Sequence, residues 1–130
     1  MTAGRAVRDR DSGSAAPVVV AALAIMVILG LAAVDAGAVM VAGARTEAAA
    51  DLAALAAARV DRDSRAEGAS LASALQSGCE AAIEVASLNG ATLTSCRRGQ
   101  RMSVTIGVEL RVRAWPAPLR ASARAGPGVG

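Results

Sequence analysis

Most of the side chains on which enzymes depend are missing from this sequence. Histidine, tyrosine and phenylalanine do not occur, and all 14 basic residues are arginine. These absences remove the usual general bases, the amines that form Schiff bases and most metal ligands. We therefore expect that the protein is not an enzyme, that it has no metal or other cofactor, and that it has no small-molecule substrate.

Aromatic residues are almost as scarce, since Trp115 is the only one. The net charge of +3 could suit nucleic acid, but the arginines are scattered along the chain and there is no aromatic platform for base stacking. We expect no nucleic-acid binding. Alanine, valine and leucine supply most of the 54% hydrophobic content, which suits close contact between helices better than a thick globular core.

A long uncharged stretch is the most prominent feature that is present. Asp35 is the only charged residue between Ser12 and Ala44, and residues 15–34 are almost wholly apolar. About 20 apolar residues span the hydrocarbon core of a bilayer as a helix. Three arginines closely precede this stretch, whereas Arg45 alone falls within the first 14 residues beyond Val41. The positive-inside rule then predicts a single-pass cell-membrane protein with a cytoplasmic N-terminus and an exported C-terminal domain.

A cleaved signal peptide is the alternative interpretation. Small-x-small triplets, which signal peptidase recognises, occur at residues 36–38 and 42–44. The apolar run is longer than the roughly 7 to 15 residues typical of a signal peptide, which favours a retained span.

Four residues of the predicted span are candidates for contact with its surroundings. Gly30, Ala33 and Gly37 share one helical face, where small side chains let a second helix approach closely. Asp35 lies where the helix leaves the hydrocarbon. Its carboxylate either reaches headgroup water or pairs with a cation on a neighbouring subunit.

The chain beyond the span predicts a continued helix and then a small α+β domain. No proline occurs between Val18 and Val60, and alanine dominates the second half of that stretch. This rod is too poor in bulky residues to bury much area alone, so we expect it to pack against copies of itself or other helices. Ser64 and Glu67 have the spacing of a capping box, which predicts that a second helix begins there. The apolar face expected for that second helix comprises Leu71, Leu75, Cys79, Ala82, Ile83 and Ala86.

Gly78 is predicted to be a weak point in the second helix or a break between two helices, and Asn89-Gly90 is the predicted end of the helix. A short strand is expected over Ala91–Cys96, and strict alternation over Met102–Val112 predicts a strand with one buried face. A third strand over Leu119–Ala125 follows from weaker alternation. The predicted fold class is α+β, with a helix packed on a two- or three-stranded antiparallel sheet.

Cys79 and Cys96 are the only cysteines. A pair of cysteines in an exported chain predicts a disulfide, which a small core needs. Two buried free thiols and a redox pair are the alternatives at this point, although the spacing is far from that of a CxxC motif.

Several motifs together resemble a known family. They are the Gly13-Ser14 junction before the apolar span, the string at residues 34–37 and the alanine-rich string at residues 47–58. The chain resembles the TadE/TadG-like pilus-assembly proteins, and more narrowly the short TadE-like proteins of high-GC Gram-positive bacteria. The later motifs that fit the narrower group are Cys79, residues 89–91, Leu93, Ser95-Cys96 and residues 123–127.

The resemblance implies a pseudopilin-like subunit of a Tad-type pilus or secretion apparatus, whose partners are the membrane, other Tad subunits and copies of itself. Prepilin peptidase would cut between Gly13 and Ser14, and Val18 stands where the family usually has glutamate five residues after the cut. The alternative function is a small protein released by signal peptidase that acts on an extracellular partner. The expected organisation is a cytoplasmic leader (1–13), a membrane and extended helix (14–61), an exported domain (62–126) and a tail (127–130).

Overall fold

The computed structural model describes residues 15–113 and 115–127, and it confirms the α+β class. The chain divides into two compact units between Ala36 and Gly37. The elements are helix α1 (Ala15–Ala66), helix α2 (Leu71–Leu88), strands β1 (Thr92–Arg98), β2 (Val104–Leu110) and β3 (Leu119–Ala125), and a short 3-10 turn (Gln100–Met102).

Helix α1 is 52 residues long and begins two residues before Pro17. Pro17 therefore lies in the first turn, where backbone N–H groups have no partner within the helix, so the N–H that proline lacks costs little. Its C-terminal end shows that the predicted capping box at Ser64 was wrong, because the helix continues through Ser64 to Ala66. Gly68 then adopts a φ of +94°, and the Ala69 N–H donates to the Ser64 carbonyl at 2.9 Å. Helix α1 therefore ends just before Gly68, where glycine takes up a positive φ that residues with a side chain rarely adopt.

Ser70 is the N-cap of helix α2: its hydroxyl accepts a hydrogen bond from the Ser73 N–H, and the helix begins at Leu71. The predicted break at Gly78 was wrong, since α2 passes through it. The predicted apolar face was also rotated from the observed one: Leu71 and Ile83 are 52% and 53% exposed. The residues of α2 that are buried are all small, namely Ala74, Gly78, Ala82 and Ala86.

The sheet is antiparallel, with strand order β1-β2-β3. Ile106 at the centre of β2 pairs with Cys96 of β1 and Ala123 of β3. Every second residue of β2 faces the helices, so Val104 and Val108 are buried together with Ile106. Strand β3 has the bounds predicted from its alternation, while β2 is shorter than the predicted Met102–Val112.

The core of the C-terminal unit lies where the alanine faces of both helices meet this inner side of the sheet. Alanine and glycine leave little side chain between the helices, so their backbones come close together. A Cβ added to Gly78 would lie 2.7 Å from the carbonyl oxygen of Ala57 in α1. Gly78 is therefore a site of close helix contact and not a helix breaker.

Candidate assembly surfaces

The first part of α1, up to Ala36, is a candidate membrane-spanning surface. Its described residues are exposed all round in the isolated chain, including large apolar side chains such as Ile25, Leu29 and Val34. A helix that is apolar on every side suits lipid rather than water. By length and composition, α1 is the one described helix that could cross a membrane.

The residues of this helix that were predicted to contact another chain or the membrane surface are exposed in the structure. Gly30, Ala33 and Asp35 are exposed in the first unit, and Gly37 is exposed in the second. A Cβ added to Gly30 or to Gly37 would meet no atom within 4 Å. The predicted processing site, Gly13-Ser14, lies outside the described residues. Contacts of these positions with another chain stay a prediction.

A buried charge cluster in the C-terminal unit was missed from the sequence. Asp61 of α1 has a relative exposure of 0%, and its carboxylate accepts hydrogen bonds from both terminal nitrogens of Arg98 on β1. The Nε of Arg65 donates to the same carboxylate at 3.1 Å, one helical turn further along α1. Arg98 also donates to the backbone carbonyl of Leu71 at 2.8 Å. One guanidinium thus connects α1, the start of α2 and the sheet, using the planar fork that lysine lacks.

Only part of this cluster left a signal in the sequence. Asp61 continues the helical face that carries Ala50, Ala54 and Ala57, so an acid interrupts an otherwise apolar face. Its i, i+4 partner Arg65 follows from helical spacing. Arg98 is 37 residues away in the chain and one of 14 arginines, and no local pattern selects it from the others.

The two cysteines form a disulfide in the structure. Cys79 lies in the middle of α2 and Cys96 in β1, with their Cα atoms 5.9 Å apart and a sequence separation of 17. The bond therefore joins a helix to the strand on which it packs. No free cysteine remains, so the alternative of two buried free thiols does not describe this structure.

Two pockets lie between α1 and β3. One has a volume of about 660 Å³ and is lined by Arg59, Arg62, Arg65 and Arg124 beside Leu55. The other has a volume of about 310 Å³, and in it Glu47 and Asp51 of α1 face Arg120 of β3. The α1 side is therefore basic in the first pocket and acidic in the second.

A comparison with known protein families gave a match that includes most of helix α1. Residues 13–60 match the family model described as putative Flp pilus-assembly TadE/G-like. The match agrees with the TadE-like resemblance of the sequence, and it supports a component of Tad pilus assembly. It ends within α1, before the second helix and the sheet. Comparisons with the curated proteins and with the solved structures gave no match.

Proposed function

We propose that the protein is a membrane-anchored, pseudopilin-like structural subunit of a Tad-type pilus or secretion apparatus. One observation carries the proposal: residues 15–60 of the TadE/G-like match lie in α1, which is apolar and exposed at its start and alanine-rich further on. The apolar part would anchor the subunit, and the alanine-rich part would pack against other subunits.

The C-terminal unit is proposed to lie outside the cytoplasm. The arginines before the span favour this orientation. The disulfide between Cys79 and Cys96 supports it as well, because disulfides persist in oxidising compartments and are rare in the cytosol.

The proposed function and the alternative, a small secreted protein, differ in where the chain is cleaved. Measuring the intact mass of the mature protein identifies the cleavage site and so tests the proposal. Cleavage after Gly13, or no cleavage, retains the apolar helix. Cleavage after Ala38 or Ala44 removes the anchor and would contradict the proposal. Both small-x-small triplets lie inside the continuous helix α1, which favours the retained form.

Packing of the anchor is tested with Gly37→Leu. Because a Cβ at Gly37 meets no atom of the described residues within 4 Å, the larger side chain fits the subunit but obstructs a close neighbour. We expect weaker crosslinking between subunits in membranes. A matched control is Gly43→Leu, which also has open space at its Cβ but lies away from the Gly30, Ala33 and Gly37 face. Equal crosslinking of both variants would show that the face is not an interface.

A further inference from the structure

We propose that one end of the C-terminal unit binds the anionic lipid headgroups of the leaflet from which α1 emerges. We call this end the basic rim; it comprises Arg45 of α1 together with residues 111–113 and 115–118, which follow β2. The proposal rests on the proposed function in one respect, which is that the apolar start of α1 lies in the membrane. The observations that carry it are the position of the rim in the fold, its charge and its exposed apolar side chains.

The rim lies beside the part of α1 that follows the apolar span. Residues 110–112, where β2 ends, line a pocket of about 580 Å³ together with residues of α1 between Gly37 and Arg45. On α1, residues 38–42 follow Asp35 by three to seven residues, which is about 5 to 10 Å of helix. One headgroup layer of a bilayer is about 5 to 8 Å thick. This stretch of α1 therefore crosses the headgroup layer when the apolar residues before it span the hydrocarbon.

The loop after β2 extends the rim. Leu110 of β2 pairs with Leu119 of β3, so the loop between them lies at this same end of the sheet. Its described residues line a second pocket, of about 340 Å³, which shares Arg111 and Val112 with the first. The two pockets are therefore neighbours, and the loop and α1 contribute to one surface.

The rim carries positive charge that its own unit does not neutralise. Arg45, Arg111 and Arg113 are exposed, and none of the ion pairs within the described residues involves them. Among those same residues, no acidic side chain lines either pocket of the rim. Glu109, two residues before Arg111, is already paired with Arg120 at 3.6 Å. Anionic surfaces attract clustered arginines, and a guanidinium binds two phosphate oxygens at once.

Exposed apolar side chains accompany these arginines. Trp115, the only aromatic residue of the chain, is 48% exposed. Leu88 is 79% exposed and directly precedes Asn89, which lines the first pocket. Tryptophan is enriched where membrane meets water, because its ring is apolar and its N–H is polar. The place of the rim beside the span, its charge and its tryptophan together select a lipid surface as the occupant.

The experiment inserts the full chain into vesicles and uses the fluorescence of Trp115, because the chain has no other tryptophan. One set of vesicles contains phosphatidylglycerol and phosphatidylcholine, and the other contains phosphatidylcholine alone. Both sets carry the same amount of a lipid with brominated acyl chains, which quenches a tryptophan that lies at the membrane. We expect the ratio of quenched to unquenched Trp115 to be at least about tenfold higher in the anionic vesicles.

The variant Arg111→Glu with Arg113→Glu tests whether the charge of the rim causes the binding. Both positions are exposed and lie outside the strands, so the fold tolerates the change. Quenching in the anionic vesicles should decrease to the level seen in phosphatidylcholine. The matched control is Arg59→Glu with Arg97→Glu, which gives the same net charge at exposed positions away from the rim. The control variant should be quenched as strongly as the wild type.

Three results would overturn the proposal. Equal quenching of the wild type in both sets of vesicles would show that headgroup charge does not matter, and a rim variant quenched like the control would show that the rim charge does not. The third result is a chain that floats with the vesicles while Trp115 is not quenched, which would make a protein partner the occupant of the rim. A chain that does not float with either set of vesicles would contradict membrane anchoring itself, so the two failures are distinguishable.

Discussion

At the scale of single residues, Asp61 is the side chain whose loss should cost the C-terminal unit most. Asp61→Asn removes the charge that faces Arg98 and leaves a guanidinium, 19% exposed, without its counter-ion. Breaking a buried pair on one side costs about 3 kcal/mol or more. We expect that decrease in the free energy of unfolding, measured by urea denaturation of the full chain in detergent.

Asp63→Asn is the matched control for that change. Asp63 lies two residues away on the same helix, but its pair with Arg62 is exposed on both sides. Exposed pairs contribute about 0 to 1 kcal/mol. Equal losses for the two variants would mean that the buried cluster does not stabilise the fold.

Gly78 offers a second test at this scale. Alanine is the better helix former by about 1 kcal/mol, so helix propensity alone predicts that Gly78→Ala stabilises α2. Its Cβ, however, would lie 2.7 Å from a backbone oxygen of α1, which cannot move like a flexible side chain. We expect a net loss of about 1 to 3 kcal/mol by urea denaturation. Gly43→Ala in α1, with no atom within 4 Å, should be neutral or stabilising.

At the scale of elements, the disulfide fixes α2 against β1. Replacing Cys79 and Cys96 by serine should lower the free energy of unfolding by about 2 to 5 kcal/mol, as expected for a small domain. Membrane insertion should be unchanged, because the apolar part of α1 needs no disulfide. Thiol labelling of the native protein provides the check: reactive thiols before reduction would contradict the disulfide.

The elements also show where sequence reasoning succeeds and where it fails. Alternation over residues 119–125 was enough to place β3, because a period of two directly reports one buried face. The face of α2 was misplaced because leucine and isoleucine were expected inside. In a contact between close helices the buried residues are the smallest ones, so Leu71 and Ile83 remain outside. Gly78 was misread for the same reason.

The sequence predicted the long first helix better than the buried cluster. The apolar run before Asp35 and the alanine-rich run after it are local patterns, and both lie in α1. The link from Asp61 to Arg98 depends on how the sheet packs against the helix, which no local pattern contains.

At the scale of the whole molecule, orientation is the prediction to test. A reporter fused after Gly130 should be active only outside the cytoplasm, and one fused before Met1 only inside it, because the arginines Arg5, Arg8 and Arg10 precede the span. Each fusion is the control for the other, because the two reporters should be active in opposite compartments. Cytoplasmic activity of the C-terminal fusion would contradict the orientation.

The alanine and glycine contact between the two helices also limits how the molecule can vary. At Ala53, Ala57 and Ala82, which are fully buried, every residue except glycine is larger than alanine, and even a methyl group at Gly78 would lie too close to the backbone of Ala57. Glycine itself weakens a helix. Most single substitutions at these positions should therefore lower stability, whether the new side chain is larger or smaller. Natural variation among such chains should collect instead on the outward faces, where a subunit can acquire new partners without losing its fold.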